Sequence, residues 1–388
     1  MKQIKGGITK VKGFSALGKF IGIKKKSKKK DFAVVYSSEV CNAAGVFTKN
    51  EVKGAPLVVT KKHLADGKAQ AVVINSGIAN VCTGKKGIKD AEYMAKLTAK
   101  ELGIEQKNVL VASTGLIGAY LPINLIKGGI KGIKKQLSKK GDIAKAILTT
   151  DTIKKEIAVK IGRITIGAVA KGAGMIHPNM ATMLCFIGTD AEFSSGELKK
   201  MLKTAVDKSF NMTSVDYDTS TSDMAILMAN GLAGKANKSQ FQKALDFVCI
   251  ELAKKIAIDG EGATKLIEAK VKNAKNEKKA EVIAKSIISS NLVKTAMFGN
   301  DPNWGRIMAA VGYSGVKISQ NKIDIYFNNN KIVSNGVGVK FELKKVVKEM
   351  KKDKLLIVVD LKEGKGMATA YGCDLTYEYI KINAAYHT

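Results

Sequence analysis

Short apolar runs separated by glycine-rich turns alternate with segments of helical periodicity along most of this chain. Runs of four to eight apolar residues bounded by turn residues favour strands, and apolar residues three or four positions apart favour helices. Strands are predicted at residues 32–36, 57–60, 71–75, 109–112, 157–161, 164–170 and 183–187, and helices at 91–102, 198–209 and 239–257. This alternation predicts an α/β fold.

A polar, lysine-rich segment at 270–279, KVKNAKNEKK, is the best candidate for a domain boundary. A helical pattern follows it at 280–295, and strand patterns follow at 322–327, 331–334 and 354–361. A chain of 388 residues is also long enough for two domains. We therefore predict a first domain at 1–279 and a second at 280–388.

The charge of +31 raises the question of nucleic-acid binding, but the basic residues argue against it. Only Arg163 and Arg306 are arginines, the residue type that reads phosphates and guanine edges with two hydrogen bonds. The lysines are spread along the chain and are not interleaved with aromatic residues. No apolar run approaches the length of a bilayer span, and the first residues do not form a secretory signal. We expect a cytoplasmic protein that binds neither nucleic acid nor membrane.

The cysteines and histidines give no sign of a metal site. The five cysteines are widely spaced, their number is odd and no CxxC pair occurs, which argues against a disulfide framework and a structural zinc site. His63, His177 and His387 do not form a ligand or triad pattern. We expect reduced thiols and no metal.

The most informative segment is residues 171–190, KGAGMIHPNMATMLCFIGTD. From residue types alone it is a glycine turn, a loop ending at Pro178 and an apolar strand, and Thr182 is an ordinary strand threonine. His177 is a possible base by type, and Cys185 is a possible nucleophile by type. Periodicity and spacing do not choose among these interpretations.

This segment closely resembles the cleavage signature of the ornithine acetyltransferases, also called glutamate N-acetyltransferases. In that family the protein itself breaks the bond before the threonine of Ala-Thr-Met-Leu, which here is Ala181–Thr182. The Thr182 hydroxyl can attack the Ala181 carbonyl, and water can then hydrolyse the resulting ester. The new α-amine, with a reference pKa near ~8, can serve as the general base for its own hydroxyl.

Further motifs follow in the family's order along essentially the whole chain. They are KGF (12–14), AGVFTKN (44–50), NSGIANVCTG (75–84), STGLIG (113–118), TTDT (149–152), DYDTST (216–221), DGEGATK (259–265), GNDPNWGR (299–306) and INAAYHT (382–388). The chain departs from the family at Ile78, where a second asparagine is usual, at 211–214 and Tyr217, and at His387, where arginine is usual. These departures bear on the tail and leave Ala181–Thr182 and the STG motif intact.

The resemblance implies a role for each site residue. Thr182 is the nucleophile, and the Thr114 side chain and the Gly115 N–H form the oxyanion hole. The substrate pocket is lined by Thr150, Lys171, Thr182, Glu261, Asn383 and Thr388. Lys171 would bind a substrate carboxylate and Glu261 an ornithine amine.

The resemblance also implies the fold, activity and assembly. It implies stacked sheets between outer helices in the larger domain, with a smaller C-terminal α/β domain. It implies an α chain (1–181) and a β chain (182–388), assembled as a heterotetramer of two α and two β chains. The expected activity is ping-pong transfer of acetyl from N2-acetylornithine to glutamate in arginine biosynthesis, without cofactor or metal. Some members also use acetyl-CoA as donor.

Two alternatives remain open from the sequence. One is an aminopeptidase or amidohydrolase that uses the same N-terminal nucleophile and passes the acyl group to water. The other is a basic binding protein without catalytic activity, whose nucleic-acid affinity would fall steeply with salt.

Overall fold

The computed structural model describes residues 1–177 and 183–385. These residues form two compact units. The first comprises residues 1–172, 183–207 and 219–252, and the second comprises 173–177, 208–218 and 253–385. No helix in the described ranges is long and apolar enough to cross a bilayer.

The strands and helices are numbered along the chain. The strands are β1 (Lys2–Ile4), β2 (Phe14–Lys19), β3 (Phe32–Phe47), β4 (Lys68–Ile78), β5 (Val109–Leu116), β6 (Lys155–Ile161), β7 (Ile164–Lys171), β8 (Leu184–Glu192), β9 (Thr213–Ser214), β10 (Met224–Lys235), β11 (Leu266–Ala274), β12 (Asp324–Phe327), β13 (Asn330–Ser334), β14 (Val337–Gly338), β15 (Lys354–Asp360) and β16 (Gly366–Cys373). The helices are α1 (Ala55–His63), α2 (Gly84–Leu102), α3 (Ile123–Ile130), α4 (Ile133–Gln136), α5 (Ile143–Ala146), α6 (Ser195–Lys208), α7 (Lys238–Ile258), α8 (Glu277–Ser289), α9 (Asn291–Phe298), α10 (Trp304–Gly312), α11 (Leu343–Met350) and α12 (Tyr377–Ala385).

The first unit is built on one hydrogen-bonded sheet in the order β1-β6-β7-β8-β10-β3-β4-β5, with β2 paired to β3. The sheet has two halves, β1-β6-β7-β8-β10 on one side and β2, β4 and β5 on the other, and β3 belongs to both. The first residues of β3 pair with β2 and β4, and its last residues pair with β10. The β3–β4 register shifts between Tyr36 and Cys41, where an irregularity in the ladder bends a strand.

The two halves of the sheet pack face to face, which confirms the predicted sandwich. Val72 and Ile74 of β4 lie in one buried cluster with Phe186 of β8 and Ile226 of β10. The residues between them, such as Val73, point to the other face of the strand and pack against helices α2 and α3. Side chains of a strand alternate between faces, so β4 is apolar on both sides because it lies between a second sheet layer and a helix layer.

The second unit holds a sheet in the order β14-β13-β12-β15-β11-β16-β9. Ile267, Ala269 and Val271 of the central strand β11 lie in an apolar cluster with helices α8, α9 and α10. The intervening residues of β11, such as Lys270, are only partly buried. The sheet is therefore apolar on one face, where the helices pack, and polar on the other. This arrangement agrees with the smaller α/β fold predicted for the C-terminal part of the chain.

The structure differs from the sequence expectations at three places, the smallest being that the helix expected at 280–295 is divided at Ser290 into α8 and α9. Residues 57–60 were expected as a strand and lie in α1, so that prediction is wrong; Pro56 stands in the first helical turn, where its missing N–H costs nothing. A short apolar run fits a strand and a buried helix turn equally well.

The second difference concerns the lysine-rich segment. Residues 270–274 form the end of β11, which pairs with both β15 and β16, so the described second unit includes residues from 253 onward as well as two short earlier segments. The alternating lysines of this segment reflect the polar face of a strand.

Candidate active site

The ends of the parallel strands β4 and β5 carry the first group of predicted site residues. Thr114 lies opposite Ser76, and Gly115 lies opposite Gly77. Both glycines have a positive φ, 108° at Gly77 and 128° at Gly115. A Cβ atom on Gly115 would lie 2.3 Å from the carbonyl carbon of Gly77, so only glycine allows this close approach of two backbones.

Polar side chains hold these two strand ends in place. Ser113 Oγ donates to Asn75 Oδ1 at 2.6 Å, and Asn75 Nδ2 donates to the Ile78 carbonyl at 2.8 Å. Ser76 Oγ donates to the Ala146 carbonyl at 2.6 Å. Each of these groups is buried or nearly so, and satisfied buried hydrogen bonds make the strand ends rigid.

Lys171 is the last residue of β7 and lies opposite Leu184 of β8. Its side chain is largely buried, and Nζ lies 3.3 Å from Thr114 Oγ1 as a hydrogen-bond donor. The fold therefore brings together two predicted site residues that are 57 positions apart in sequence. Because the ammonium occupies a lone pair of Oγ1, the hydroxyl proton of Thr114 is left to be donated elsewhere.

Asp151 organises the charges near Lys171. Its Oδ1 accepts hydrogen bonds from Lys155 Nζ at 2.8 Å and from the Gly172 N–H at 2.6 Å. The Lys155 and Asp151 side chains are both fully buried. Burial by itself raises the pKa of Asp151, but the positive charges of Lys171 and Lys155 and the hydrogen bonds outweigh it, so the pKa lies well below its usual range. The predicted residue Thr150, which is half-buried, directly precedes Asp151.

Lys24 adds a third cation to this group. Burial lowers the pKa of Lys24 to about 8, and the nearby charge of Lys171 adds to that effect while Asp31 and Asp151 oppose it. Its Nζ donates to the carbonyls of Lys30 and Leu148. The sequence motifs predicted no role for Lys24, Lys155 or Asp151. Asp151 lies in the TTDT motif, which could have marked it as a site residue. Lys24 and Lys155 lie in no such motif, and nothing distinguishes them in sequence from the many other lysines.

The second unit carries Glu261 and Asn383. Asn383, on α12, donates from Nδ2 to Glu261 Oε2 at 2.8 Å. The Glu261 N–H donates to the Ala173 carbonyl at 3.0 Å. The Glu261 carboxylate lies against Gly174, where a Cβ atom would come within 2.3 Å of Oε1. The structure thus brings these two predicted residues together, 122 positions apart in sequence.

Further carboxylates lie near Glu261 in the same unit. Asp216 accepts hydrogen bonds from the N–H groups of Met175 at 2.6 Å and Ile176 at 2.8 Å. Burial raises the pKa of the Tyr379 hydroxyl, and the negative charges of Asp216, Asp218 and Glu261 raise it further. Three negative charges therefore act on one tyrosine hydroxyl, and such a setting favours a cation.

His177 was considered as a base because of its position in sequence. Its Nδ1 lies 3.0 Å from Ser214 Oγ, and its ring centroid lies 4.1 Å from that of Tyr217. Burial, with a smaller contribution from the charge of Lys285, lowers the pKa of His177 to about 4. The ring is therefore neutral at physiological pH and packs against Tyr217 at a tilt of 37°.

Comparison with known proteins places the chain in a family. The ArgJ family model matches residues 15–388. The arginine biosynthesis bifunctional protein ArgJ of Caldanaerobacter subterraneus subsp. tengcongensis is 49% identical over 405 residues, covering 100% of both chains. That of Streptococcus thermophilus is 48% identical over 400 residues, again covering 100% of both. The chain belongs to the ArgJ family.

A solved structure also matches part of this ArgJ chain. The crystal structure of the arginine biosynthesis bifunctional protein ArgJ from Bacillus halodurans is 44% identical, with a TM-score of 0.52. The match covers 53% of this chain and 100% of that chain. The family expected from the sequence motifs is thereby confirmed, and with it the class of enzyme, an acyltransferase of arginine biosynthesis.

Three residues predicted for the ArgJ site, Ala181, Thr182 and Thr388, lie outside the described residues, as does His387. The described residues hold Thr114, Gly115, Thr150 and Lys171 in the first unit, and Glu261 and Asn383 in the second. Within these described ranges no group of three or more histidine, cysteine or acidic side chains is arranged to hold a metal ion. The roles of all these residues stay predictions.

Proposed function

We propose that this chain transfers the acetyl group of N2-acetylornithine to glutamate through an acetyl-threonine intermediate on Thr182. The hydrogen bond between Lys171 Nζ and Thr114 Oγ1 carries the proposal, since it joins a cation and a hydroxyl at the Gly77–Gly115 strand ends. Membership in the ArgJ family supports the reaction class. The names of the relatives support its place in arginine biosynthesis.

Thr114 and Gly115 serve as the oxyanion hole. Attack on an acetyl carbonyl produces a tetrahedral intermediate with a negative oxygen, which rigid donors stabilise; loss of one such donor costs roughly 3–4 kcal/mol. The Thr114 hydroxyl accepts from Lys171, so its proton can point to the oxyanion. The positive φ of Gly115 fixes the direction of its peptide group.

Lys171 binds the α-carboxylate that N2-acetylornithine and glutamate share. Asp151 is already paired with Lys155, and among nearby charges Asp31 acts most strongly on Lys24, so the ammonium of Lys171 can bind a substrate carboxylate. Thr150, beside Asp151, is proposed to contact the substrate in the same cluster.

Glu261 binds the side-chain amine that N2-acetylornithine carries and glutamate lacks. The nearby charges of Asp216 and Asp218 add to a negative field that attracts an ammonium group. Asn383 holds the Glu261 carboxylate through one oxygen and leaves the other for the amine. Thr388 is proposed to line the pocket as the end of the same C-terminal segment.

Activation of Thr182 requires cleavage of the Ala181–Thr182 bond by the chain itself. The products are an α chain, 1–181, and a β chain, 182–388, which we propose assemble as a heterotetramer of two of each. We also propose acetyl-CoA as a second acetyl donor, as the resemblance to the ornithine acetyltransferases implies for some members.

The decisive experiment is the intact mass of the purified protein beside that of Thr182→Ala. We expect two fragments that meet at Ala181–Thr182 in the wild type and one uncut chain in the variant. Thr204→Ala is a matched control, because this partly exposed residue lies on α6 and, among the described residues, its hydroxyl bonds to the Lys200 carbonyl of its own helix. A folded but uncut wild-type chain would contradict the proposal, because Thr182 would then lack the free α-amine that activates it.

A second assay separates transfer from hydrolysis. Cleaved enzyme is mixed with N2-acetylornithine labelled in the acetyl group, with and without glutamate. A transferase accumulates labelled β chain without glutamate and forms labelled N-acetylglutamate when glutamate is added. Steady release of labelled acetate without glutamate indicates the amidohydrolase alternative.

A further inference from the structure

The second unit contains a pocket that the function proposed above leaves without a role. Its volume is about 490 Å³. Pockets of roughly 300–1,000 Å³ are the usual size for binding small molecules. His177 and Tyr217, which stand out in the sequence as a candidate base and as a departure from the family, line it together with residues of α8 and of the turn after α10. No acidic side chain is among the described residues that line the pocket, so it differs in charge from the surroundings of Glu261.

One wall of the pocket is held by contacts between two short segments of the second unit. The Val215 N–H donates to the Ile176 carbonyl at 2.7 Å, and His177 Nδ1 lies 3.0 Å from Ser214 Oγ. The Tyr217 ring packs against the His177 ring with 4.1 Å between their centroids. Tyr217 has a φ of 71°, which residues other than glycine rarely adopt, and it is 66% exposed. A strained backbone therefore holds a large aromatic ring at the edge of the pocket, and such strain is often found at ligand sites.

A second wall is one face of helix α8. Residues three or four positions apart lie on the same face of a helix. The α8 residues that line the pocket follow this spacing, with one adjacent pair; they are Lys278, Val282, Lys285, Ser286 and Ser289. The helix thus presents two lysines and two serines to one pocket.

The two lysines make the pocket suitable for an anion. Lys278 pairs with Glu281 at 3.3 Å, but the Lys278 side chain stays 82% exposed. Burial lowers the pKa of Lys285, and the positive charge of Lys278 lowers it further while Glu281 opposes the shift. A bound anion would relieve the repulsion between the two ammonium groups. Phosphate is a common partner of lysine, which binds it as a point charge.

The hydroxyl groups of the pocket are arranged to accept hydrogen bonds. Ser286 Oγ donates to the Ala310 carbonyl and Ser314 Oγ donates to the Val311 carbonyl, both at 2.6 Å. A hydroxyl has one proton, so these two oxygens keep only lone pairs for a ligand. Ser289 Oγ is buried and has no hydrogen-bond partner among the described residues, which is uncommon in native proteins. A ligand that carries O–H or N–H donors beside its negative charge would fit these hydroxyls.

Tyr313 adds a flat apolar surface to the pocket. This residue follows α10, its N–H donates to the Ala309 carbonyl at 3.0 Å, and it is 62% exposed. In the described ranges no other aromatic ring packs against it. An exposed aromatic ring beside cations is the combination that stacks a nucleobase and binds its phosphate. Inorganic phosphate or a small carboxylate would use the lysines alone, whereas a nucleoside phosphate uses the lysines, the hydroxyls and the ring.

We propose that this pocket of the second unit binds a nucleoside phosphate. The phosphate contacts Lys278 and Lys285, the base stacks on Tyr313, and hydroxyl or amine groups of the nucleoside donate to Ser286 and Ser314. The ligand can be a free nucleotide or the nucleotide portion of a coenzyme, such as the acetyl-CoA proposed above as a second donor. Only the coenzyme case rests on the proposed function, since recognition of the nucleotide does not require acetyl transfer.

Isothermal titration calorimetry of the full-length protein tests the site directly. ADP, coenzyme A, adenosine and inorganic phosphate are titrated separately into the wild type, Lys285→Gln and Tyr313→Ala. We expect the wild type to bind ADP or coenzyme A more tightly than it binds adenosine or phosphate. Lys285→Gln should weaken binding of that nucleotide about tenfold or more and leave adenosine unchanged, because adenosine has no phosphate. Tyr313→Ala should weaken binding of the nucleotide and of adenosine about tenfold and leave phosphate unchanged.

Lys345→Gln is the matched control, because this exposed lysine lies on α11 and does not line the pocket. It should leave all four affinities unchanged. If Lys285→Gln does not fold, Lys278→Gln removes the other cation from a mostly exposed position and should weaken the nucleotide in the same way.

The two sources of the ligand give different results. Tighter binding of coenzyme A than of ADP, with a raised KM for acetyl-CoA in Tyr313→Ala, supports the coenzyme, and equal or tighter binding of ADP supports a free nucleotide. The inference is overturned if neither ADP nor coenzyme A binds with a Kd below about 1 mM. It is also overturned if the lysine and tyrosine variants bind them as the wild type does. Absence of acetyl transfer with nucleotide binding intact would contradict the proposed function alone, so the two failures are distinct.

Discussion

Lys171 in the first unit lies among buried charges, whereas Glu261 in the second unit is only half-buried and is held by an exposed asparagine. The first cluster is rich in lysine: it holds Lys24, Lys155 and Lys171 together with the carboxylates of Asp151 and Asp31. The second gathers the carboxylates of Glu261, Asp216 and Asp218. The substrates proposed here combine a carboxylate that both share with an amine that only one of them has. Under the proposed roles, the carboxylate that both substrates share would meet rigid, buried groups, and the amine that distinguishes them would meet a more accessible carboxylate.

The largest effect on stability is expected for Asp151→Ala. The variant leaves the fully buried Lys155 ammonium without its carboxylate, which costs about 3–5 kcal/mol in the free energy of unfolding. Urea denaturation measures this loss. The control Glu92→Ala removes an exposed ion pair with Lys62 and should cost about 0–1 kcal/mol. Similar losses for the two variants would contradict the importance assigned to burial.

A smaller effect is expected at the glycines of the two clusters. Gly115→Ala forces a side chain onto the Gly77 backbone at a positive φ and should destabilise the protein by about 2–4 kcal/mol. Gly174→Ala meets only the flexible end of Glu261, so it should shift that carboxylate and weaken N2-acetylornithine binding with little loss of stability. Thermal unfolding and KM for each substrate separate the two outcomes.

Gly128→Ala serves as the control for both glycine variants. This glycine lies in α3, and a Cβ atom there meets nothing within 4 Å. Alanine favours a helix interior over glycine by up to about 1 kcal/mol, so the variant should be neutral or slightly more stable. If Gly115→Ala is as stable to unfolding as Gly128→Ala, the close approach of β4 and β5 does not contribute to stability as predicted.

Substrate discrimination gives the sharpest test of the comparison. Lys171→Gln should raise KM about tenfold or more for both N2-acetylornithine and glutamate, since both lose a charged partner for the carboxylate. Glu261→Gln should raise KM about ten- to a hundredfold for N2-acetylornithine and leave that for glutamate unchanged. Initial rates with each substrate varied in turn provide these constants. If Glu261→Gln raises KM equally for both substrates, Glu261 does not bind the side-chain amine that distinguishes N2-acetylornithine from glutamate.

The smallest effect is a pair of opposite pH dependences of stability. Asp151 has a folded-state pKa below the unfolded value near ~3.9, so its stabilisation is present above that pH and is lost as the pH falls. Burial raises the pKa of Asp216, so its effect on stability becomes less favourable as the pH rises above ~3.9. Asp151→Asn and Asp216→Asn should each remove one of these slopes, at most about 1.4 kcal/mol per pH unit for one proton. Urea midpoints between pH 3 and 7, measured for both variants, test the signs.

The extent to which the fold could be predicted from sequence depended on the length and environment of each segment. Strand β7, buried on both faces, appears as one apolar run and was predicted nearly in full. The run at 57–60 was misassigned because four apolar residues suit a strand or a helix turn. Strand β11 was missed because its exposed face carries lysines at alternate positions, so that the segment resembles a linker.

The site was predictable only where a motif marked it. Gly115 and Thr114 occur in the STG motif and were named from it. Lys24 and Lys155 were not, because nothing in sequence separates them from the other lysines.

The sequence by itself determined the α/β class, the family and the identity of the residues proposed for catalysis, because periodicity is local and motifs are contiguous. Tertiary structure alone decided which charges are buried together. Lys171 and Thr114 are 57 residues apart, and Glu261 and Asn383 are 122 apart. The first contact depends on strand register and on the folding of one sheet back on itself, and the second depends on the packing of α12 against Gly262. The pKa of a side chain depends on the groups that these contacts place around it, so the electrostatic difference between the two clusters could be seen only in the folded chain.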